Sequence, residues 1–148
     1  MSQFQYISRG GLTLCLIASI GTGATACSRL LATSPSPTIP SISQTALLAQ
    51  LESDAAPLIL DVRTPREYAA GHIPGAINIH YRELPERLDE IRALGKREIL
   101  VYCERGVRVN YAEATLLKAG FTSILNLTGD MSAWRASGLP VETAEQQL

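Results

Sequence analysis

The stretch VYCERGVR, residues 101–108, places a thiol, a glycine and two arginines directly after a short apolar, β-prone run. A cysteine in that position is a core filler, half of a disulfide, or a nucleophile held by a loop. The residues after it favour the last. Amides of Glu104, Arg105, Gly106, Val107 and Arg108 can curl round the sulfur, and Gly106 is free to take a backbone conformation that other residues avoid. Converging N–H groups ahead of a helix N-terminus make an anion site, and such surroundings favour a thiolate. A buried, inert cysteine has no use for a glycine and two arginines in the next five positions. Cys103 is therefore the expected nucleophile and residues 104–108 the expected substrate-binding loop. Arg105 and Arg108 can attract and orient an anionic donor; each suits a surface or helix-capping role equally well.

Composition removes several other chemistries. Cysteines stand at 15, 27 and 103 without CxxC spacing, and there are two histidines, so no structural metal site is expected. The net charge of -1, from 13 basic and 14 acidic residues, lacks the basic excess of a nucleic-acid-binding domain. With 148 residues, 46% hydrophobic and 18% charged, the chain suits one globular domain plus whatever its ends carry.

Those ends differ from the rest. In residues 1–26 Arg9 is the one charged side chain, and LTLCLIASI (12–20) is an apolar run of signal-peptide length followed by the small residues Ala24 and Ala26. The run is shorter than the roughly 20 apolar residues that span a bilayer. Residues 1–26 thus read as a signal peptide. The segment 27–42, rich in Ser, Thr and Pro, reads as an extended tether. Charged end, apolar run, small residues and Cys27 together resemble a bacterial lipoprotein signal, which makes Cys27 the expected lipid-attachment residue. Ala24 stands where leucine is usual, and cleavage after Ala26 without lipidation is the alternative. Either way the mature domain is expected in the cell envelope facing the periplasm, touching membrane only through an N-terminal lipid. Export also removes Cys15 and leaves Cys27 at a terminus, so Cys103 has no partner for an intradomain disulfide.

The elements that must position Cys103 follow from periodicity. SISQTALLAQLES (41–53) reads as a helix that Ser43 can cap. APLILDV (56–62) is a continuous apolar run, as for a strand covered on both faces. Pro65 opens a short helix, 65–71. A strand is expected at 75–80, an amphipathic helix at 83–95, a strand at 97–103, a helix at 108–120, a strand at 122–129 and a short helix at 131–138, with Trp134 as core filling. Alternating strands and helices imply an α/β fold, a central, mainly parallel sheet with helices on both faces. In that architecture ligands bind beyond the carboxyl ends of the strands, where Cys103 falls.

Two stretches, LDVRTPREYAAGHIPGAINI (60–79) and VYCERGVR followed by a helix and GDMSAWRASGLPV (129–141), resemble the signatures of the rhodanese sulfurtransferase family. The likeness covers residues 43–143, with 144–148 as a tail. It implies a rhodanese-like fold and a persulfide carried on Cys103 between a small anionic donor and a nucleophilic acceptor, with no cofactor. Thiolate attack on the outer sulfur of thiosulfate would release sulfite, and cyanide or a thiol would then remove the sulfur, a ping-pong route with loop amides holding the terminal sulfur. Asp61 and Arg63 are expected to tie the first strand to neighbouring loops, and Glu67 and His72 to form a buried pair before Gly75. Three positions depart from the family pattern: Glu104 sets a negative charge beside the nucleophile, Val109 replaces a small polar residue, and Asp130 replaces a second glycine. Two rivals are a non-catalytic, partner-binding member of the same family and a phosphatase or arsenate reductase. The second needs a longer loop, since here four residues separate Cys103 from Arg108.

Overall fold

The structure is a computed structural model that describes residues 38–96 and 98–143. The expected signal peptide, Cys27, most of the tether and the tail at 144–148 lie outside these residues. The described chain runs β1 (Ser41–Ile42), α1 (Gln44–Glu52), β2 (Leu58–Asp61), α2 (Pro65–Ala69), β3 (Ile77–Asn78), a 3-10 turn (Leu84–Glu86), α3 (Leu88–Ala93), β4 (Ile99–Tyr102), α4 (Val107–Lys118), β5 (Ile124–Leu127) and α5 (Asp130–Ala136). The five strands form one sheet in the order β1-β5-β4-β2-β3, every pairing parallel.

The apolar runs in β2 and β4 are continuous because both sides of the sheet are covered. Successive strand side chains point to opposite faces. Leu58, Leu60, Ile99, Val101 and Cys103 therefore share one core with Ile91 of α3 and Val109, Ala112 and Leu116 of α4. Ile59, Leu100 and Tyr102 face the other way, onto Leu47 of α1 and Met131 and Trp134 of α5. Each fully buried aliphatic side chain of this kind contributes about 1.5–3 kcal/mol. Trp134 is wholly buried and donates its indole N–H to the Pro140 carbonyl at 2.7 Å, which satisfies its polar tip.

Several boundaries move for physical reasons. Ser43 does cap α1, its side chain accepting from the Ala46 amide at 3.2 Å. Residues 41 and 42, however, are a strand rather than tether or helix. Asn126 donates to the Pro40 carbonyl at 2.9 Å and Thr128 to the Ile42 carbonyl at 3.0 Å. These two bonds recruit a segment whose composition alone reads as unfolded. The expected helix 83–95 is divided: Pro85 sits in the opening 3-10 turn, and Arg87, with φ -116 and ψ 17, breaks the path before α3. Thr64 and Glu67 close a reciprocal capping box on α2, fixing where the chain turns after β2.

Candidate active site

Cys103 directly follows β4, the middle strand of the sheet, and is buried at 1% exposure. Gly106 adopts φ +86, ψ -23, and its amide donates to the Cys103 Sγ at 3.1 Å. A left-handed glycine at the N-cap of α4 lets the loop fold back over the sulfur, a turn costly for any residue with a Cβ. Beneath the loop, Met131 donates to the Cys103 carbonyl at 3.0 Å and Ser132 to the Glu104 carbonyl at 3.2 Å. The first turn of α5 thus holds the start of the loop.

Arg108 points back toward α2. Its Nη1 and Nη2 bind Glu67 Oε2 and Oε1 at 2.7 and 2.8 Å. These bonds hold the Glu67 carboxyl well below the usual carboxylate range, with further help from Thr64. They also raise the Arg108 guanidinium, which interacts with Cys103 as well. The expected Glu67–His72 pair is therefore replaced by Glu67–Arg108. His72 stacks on the Tyr68 ring at 3.7 Å, its Nδ1 meets the Tyr68 carbonyl at 2.9 Å, and its backbone exchanges two 2.9 Å hydrogen bonds with Glu142. It pins the loop before Gly75 to the C-terminal segment without involving Glu67.

Asp61 and Arg63 form a buried, bidentate pair, with Nη2–Oδ2 at 2.6 Å and Nε–Oδ1 at 3.0 Å. The same guanidinium donates to the Gly71 carbonyl at 2.8 Å and reaches Glu104 Oε2 at 3.3 Å. Burial opposes its charge, but hydrogen bonds and attraction from Asp61, with smaller help from Tyr102 and Glu104, raise its pKa. Glu104 is clamped from the other side by Arg135. The carboxylate expected to oppose the thiolate is thus shared between two arginines. Arg105 is exposed and makes no ion pair among the described residues, and Val107 is 80% exposed. These are the loop's solvent-facing side chains.

Sequence reasoning missed two participants. Arg135 carries no signal beyond being a helix-surface charge. Asp130 stood out only as a substitute for glycine, yet its Oδ1 accepts from the Cys103 amide at 2.8 Å. Burial raises the Asp130 pKa; the hydrogen bond from the Cys103 amide opposes the rise, and Glu104 adds to it. Glu113 of α4 is raised too, by burial and then by Asp130, and its Oε1 is buried with no hydrogen-bond partner among the described residues. Among the described residues no cluster of His, Cys, Asp or Glu could hold a metal ion.

A buried sulfur at a strand end, met by a loop amide and flanked by an ion-paired arginine, can act as a nucleophile toward a small electrophilic sulfur. Comparison with known proteins identifies the family. The model of the Rhodanese-like domain family matches residues 43–137. A sulfurtransferase of Allochromatium vinosum is 39% identical over 88 residues, covering 60% of this chain and 80% of its own. The chloroplastic thiosulfate sulfurtransferase 16 of Arabidopsis thaliana is 39% identical over 93 residues, 56% of this chain and 78% of its own. Among solved structures, a rhodanese-related protein from Thermoplasma volcanium superposes with TM-score 0.60 at 32% identity, covering 70% of this chain and 97% of that one. The rhodanese-like domain of an Anabaena protein does so with TM-score 0.61 at 30% identity, over 74% and 83%. A five-stranded parallel sheet with helices on both faces, a cysteine loop at the end of its middle strand and a family match spanning both mark this chain as a member of the rhodanese-like domain family.

Proposed function

We propose that the protein is a sulfurtransferase that carries sulfane sulfur on Cys103. The thiolate attacks the outer sulfur of a small anionic donor such as thiosulfate, sulfite leaves, and cyanide or a thiol takes the sulfur from the resulting persulfide. The observation that carries this reading is the Gly106 amide 3.1 Å from Sγ. An N–H aimed at the sulfur stabilises negative charge there before and after the transfer. The exposed Arg105 guanidinium supports an anionic donor, whereas Arg108 is already engaged by Glu67. Arg105 is accordingly the donor-attracting cation, and Arg108 braces the loop. Exposed Val107 offers an apolar contact for an organic acceptor thiol.

The reading extends to location. The apolar run before Cys27 and the Ser/Pro-rich segment after it support export and a lipid on Cys27, with the domain facing the periplasm. More than one acyl chain is needed for a stable anchor, as on a lipoprotein cysteine.

The test is Cys103→Ser. It should abolish thiocyanate formation from thiosulfate and cyanide while leaving the circular dichroism spectrum and melting temperature near wild type. Mass spectrometry of thiosulfate-treated wild type should show one added sulfur on Cys103. Turnover by the serine variant sinks the mechanism. A wild-type domain that never gains sulfur points to a partner-binding member of the family.

A further inference from the structure

The buried side of α4 consists of Val109, Ala112, Glu113 and Leu116, the spacing of a core-facing stripe. Three of the four join the core that also holds Ile124 of β5. The fourth is a carboxylic acid, 9% exposed, whose Oε1 has no hydrogen-bond partner among the described residues. Opposite it, strand alternation turns the partly buried Asn126 to the same side of the sheet as Ile124. Burying a polar group without a partner costs stability, whereas leucine at either place would add to the core. Packing therefore explains neither residue. Both line one cavity of about 620 Å³, a volume suited to a small organic molecule. Its walls also include Asn110, Leu117 and Lys118 of α4 and Ile39 just ahead of β1, and no residue of the loop 103–108.

We propose that this cavity binds a small organic amine, its ammonium group held by Glu113 and its apolar body lying along Ile39 and Leu117. The carboxyl turns easily about its last bond, so the oxygen that lacks a partner can be presented to a bound N–H. The carboxamide oxygens of Asn110 and Asn126 can accept from the remaining ammonium hydrogens. Charge decides the orientation. Lys118 is exposed and stands five positions beyond Glu113 on α4, on the order of 7.5 Å along the helix axis. Its cation turns the ammonium away from that end of the cavity and toward the acid.

Other classes of ligand fit less well. An anion would meet Glu113, with the buried acid Asp130 close enough to interact with it. An ammonium group answers that negative charge instead. A wholly apolar ligand would enclose the acid further and still leave it without a partner, the arrangement that costs most. A metal ion needs several convergent ligands, and among the described residues no cluster of His, Cys, Asp or Glu supplies them.

Isothermal titration calorimetry of the full-length protein with phenethylamine, and with phenethyl alcohol as its uncharged analogue, tests the assignment. No turnover is measured, so the result is independent of the sulfurtransferase reading. The amine should bind saturably at one site, about tenfold or more tighter than the alcohol, on the scale of a charge-assisted hydrogen bond. Glu113→Gln keeps the shape of the side chain and removes its charge; it should erase that preference. Glu113→Leu should abolish amine binding and raise the melting temperature of the free protein, because an apolar group replaces an unpaired acid. Asn126→Leu should weaken amine binding from the opposite wall, and it serves if the replacements on α4 prevent folding. The absence of saturable amine binding overturns the proposal, whether the cavity is then covered by another part of the chain or by a second copy. Equal binding of amine and alcohol overturns it as well, and so does amine binding that survives Glu113→Leu.

Discussion

Glu67 and Arg108 are 41 residues apart in the chain and form a two-pronged ion pair at 2.7 and 2.8 Å that fastens α2 to the first turn of α4. Because Arg108 is also within interacting reach of Cys103, the capping residue of one helix governs where the cation beside the nucleophile rests. Both side chains remain partly exposed, at 33% and 23%, so solvent screens part of the attraction.

Glu67→Gln keeps the cap of α2 but removes the ion pair. Its cost at neutral pH should be about 1 kcal/mol, the upper end for a partly exposed pair. The folded-state pKa of Glu67 is depressed, so its stabilisation is present above the ordinary value of 4.5 and is lost as pH falls toward the folded-state value. Urea titrations should show the gap between wild type and variant narrowing progressively below that pH. A gap that is constant down to acid unfolding would contradict the pairing.

Arg105→Ala should lower kcat/KM for thiosulfate about threefold or more at low ionic strength, with the difference vanishing as salt is raised. Stability should be unchanged, since Arg105 is exposed and makes no ion pair among the described residues. Equal loss at all salt concentrations would instead assign it a direct contact.

Glu104→Gln tests the opposite charge. A free carboxylate beside the loop would repel the donor, and its removal would raise the rate markedly. With Arg63 and Arg135 already sharing that charge, kcat/KM should change by less than about threefold, and the main effect should be a loss of roughly 0.5–1 kcal/mol of stability. A tenfold gain in rate would place the carboxylate in the donor's path.

Gly106→Ala forces a side chain into a left-handed position, costing about 1–2 kcal/mol, and pushes a methyl to within 3.3 Å of Asp130 Oδ2. The loop should relax by drawing its amide away from Sγ. Persulfide formation, followed by stopped-flow, should slow at least tenfold, on the scale of a lost charge-stabilising donor. A variant of normal speed would show that this amide does not serve the reaction.

For the N-terminal segment, labelled fatty acid should enter the full-length protein in its host, and Cys27→Ala should abolish the labelling. An unlabelled, soluble periplasmic form would leave simple secretion in place of the lipid anchor.

What was legible beforehand tracks the range of the interactions concerned. LIL in β2 and ILV in β4 read as two-sided burial because the signal lies within a few adjacent residues. Ser43 and Pro65 likewise announce helix starts locally. Cys103 and Gly106 are three positions apart, so the loop was readable as a unit. Partners across the fold were not. Glu67 was matched with nearby His72, whereas its true partner stands on α4. Asp130 meets Cys103 across 27 positions, and only the parallel register of β4 on β5 brings α5 under the loop. The strand at 41–42 was hidden because its pairing belongs to backbone groups that any sequence possesses.

That short strand also determines how the domain bears tension. β1 lies at the sheet edge, parallel to β5, with register Ser41↔Asn126 and Ile42↔Leu127. A pull directed along this strand would shear the bonds to the Pro40 and Ile42 carbonyls together rather than unzip them one by one. If they part, α1 is next in line, while β4 and the cysteine loop are separated from the load by the whole of β5. Such a pull would then be met first at an edge that lies two strands away from the strand leading to Cys103.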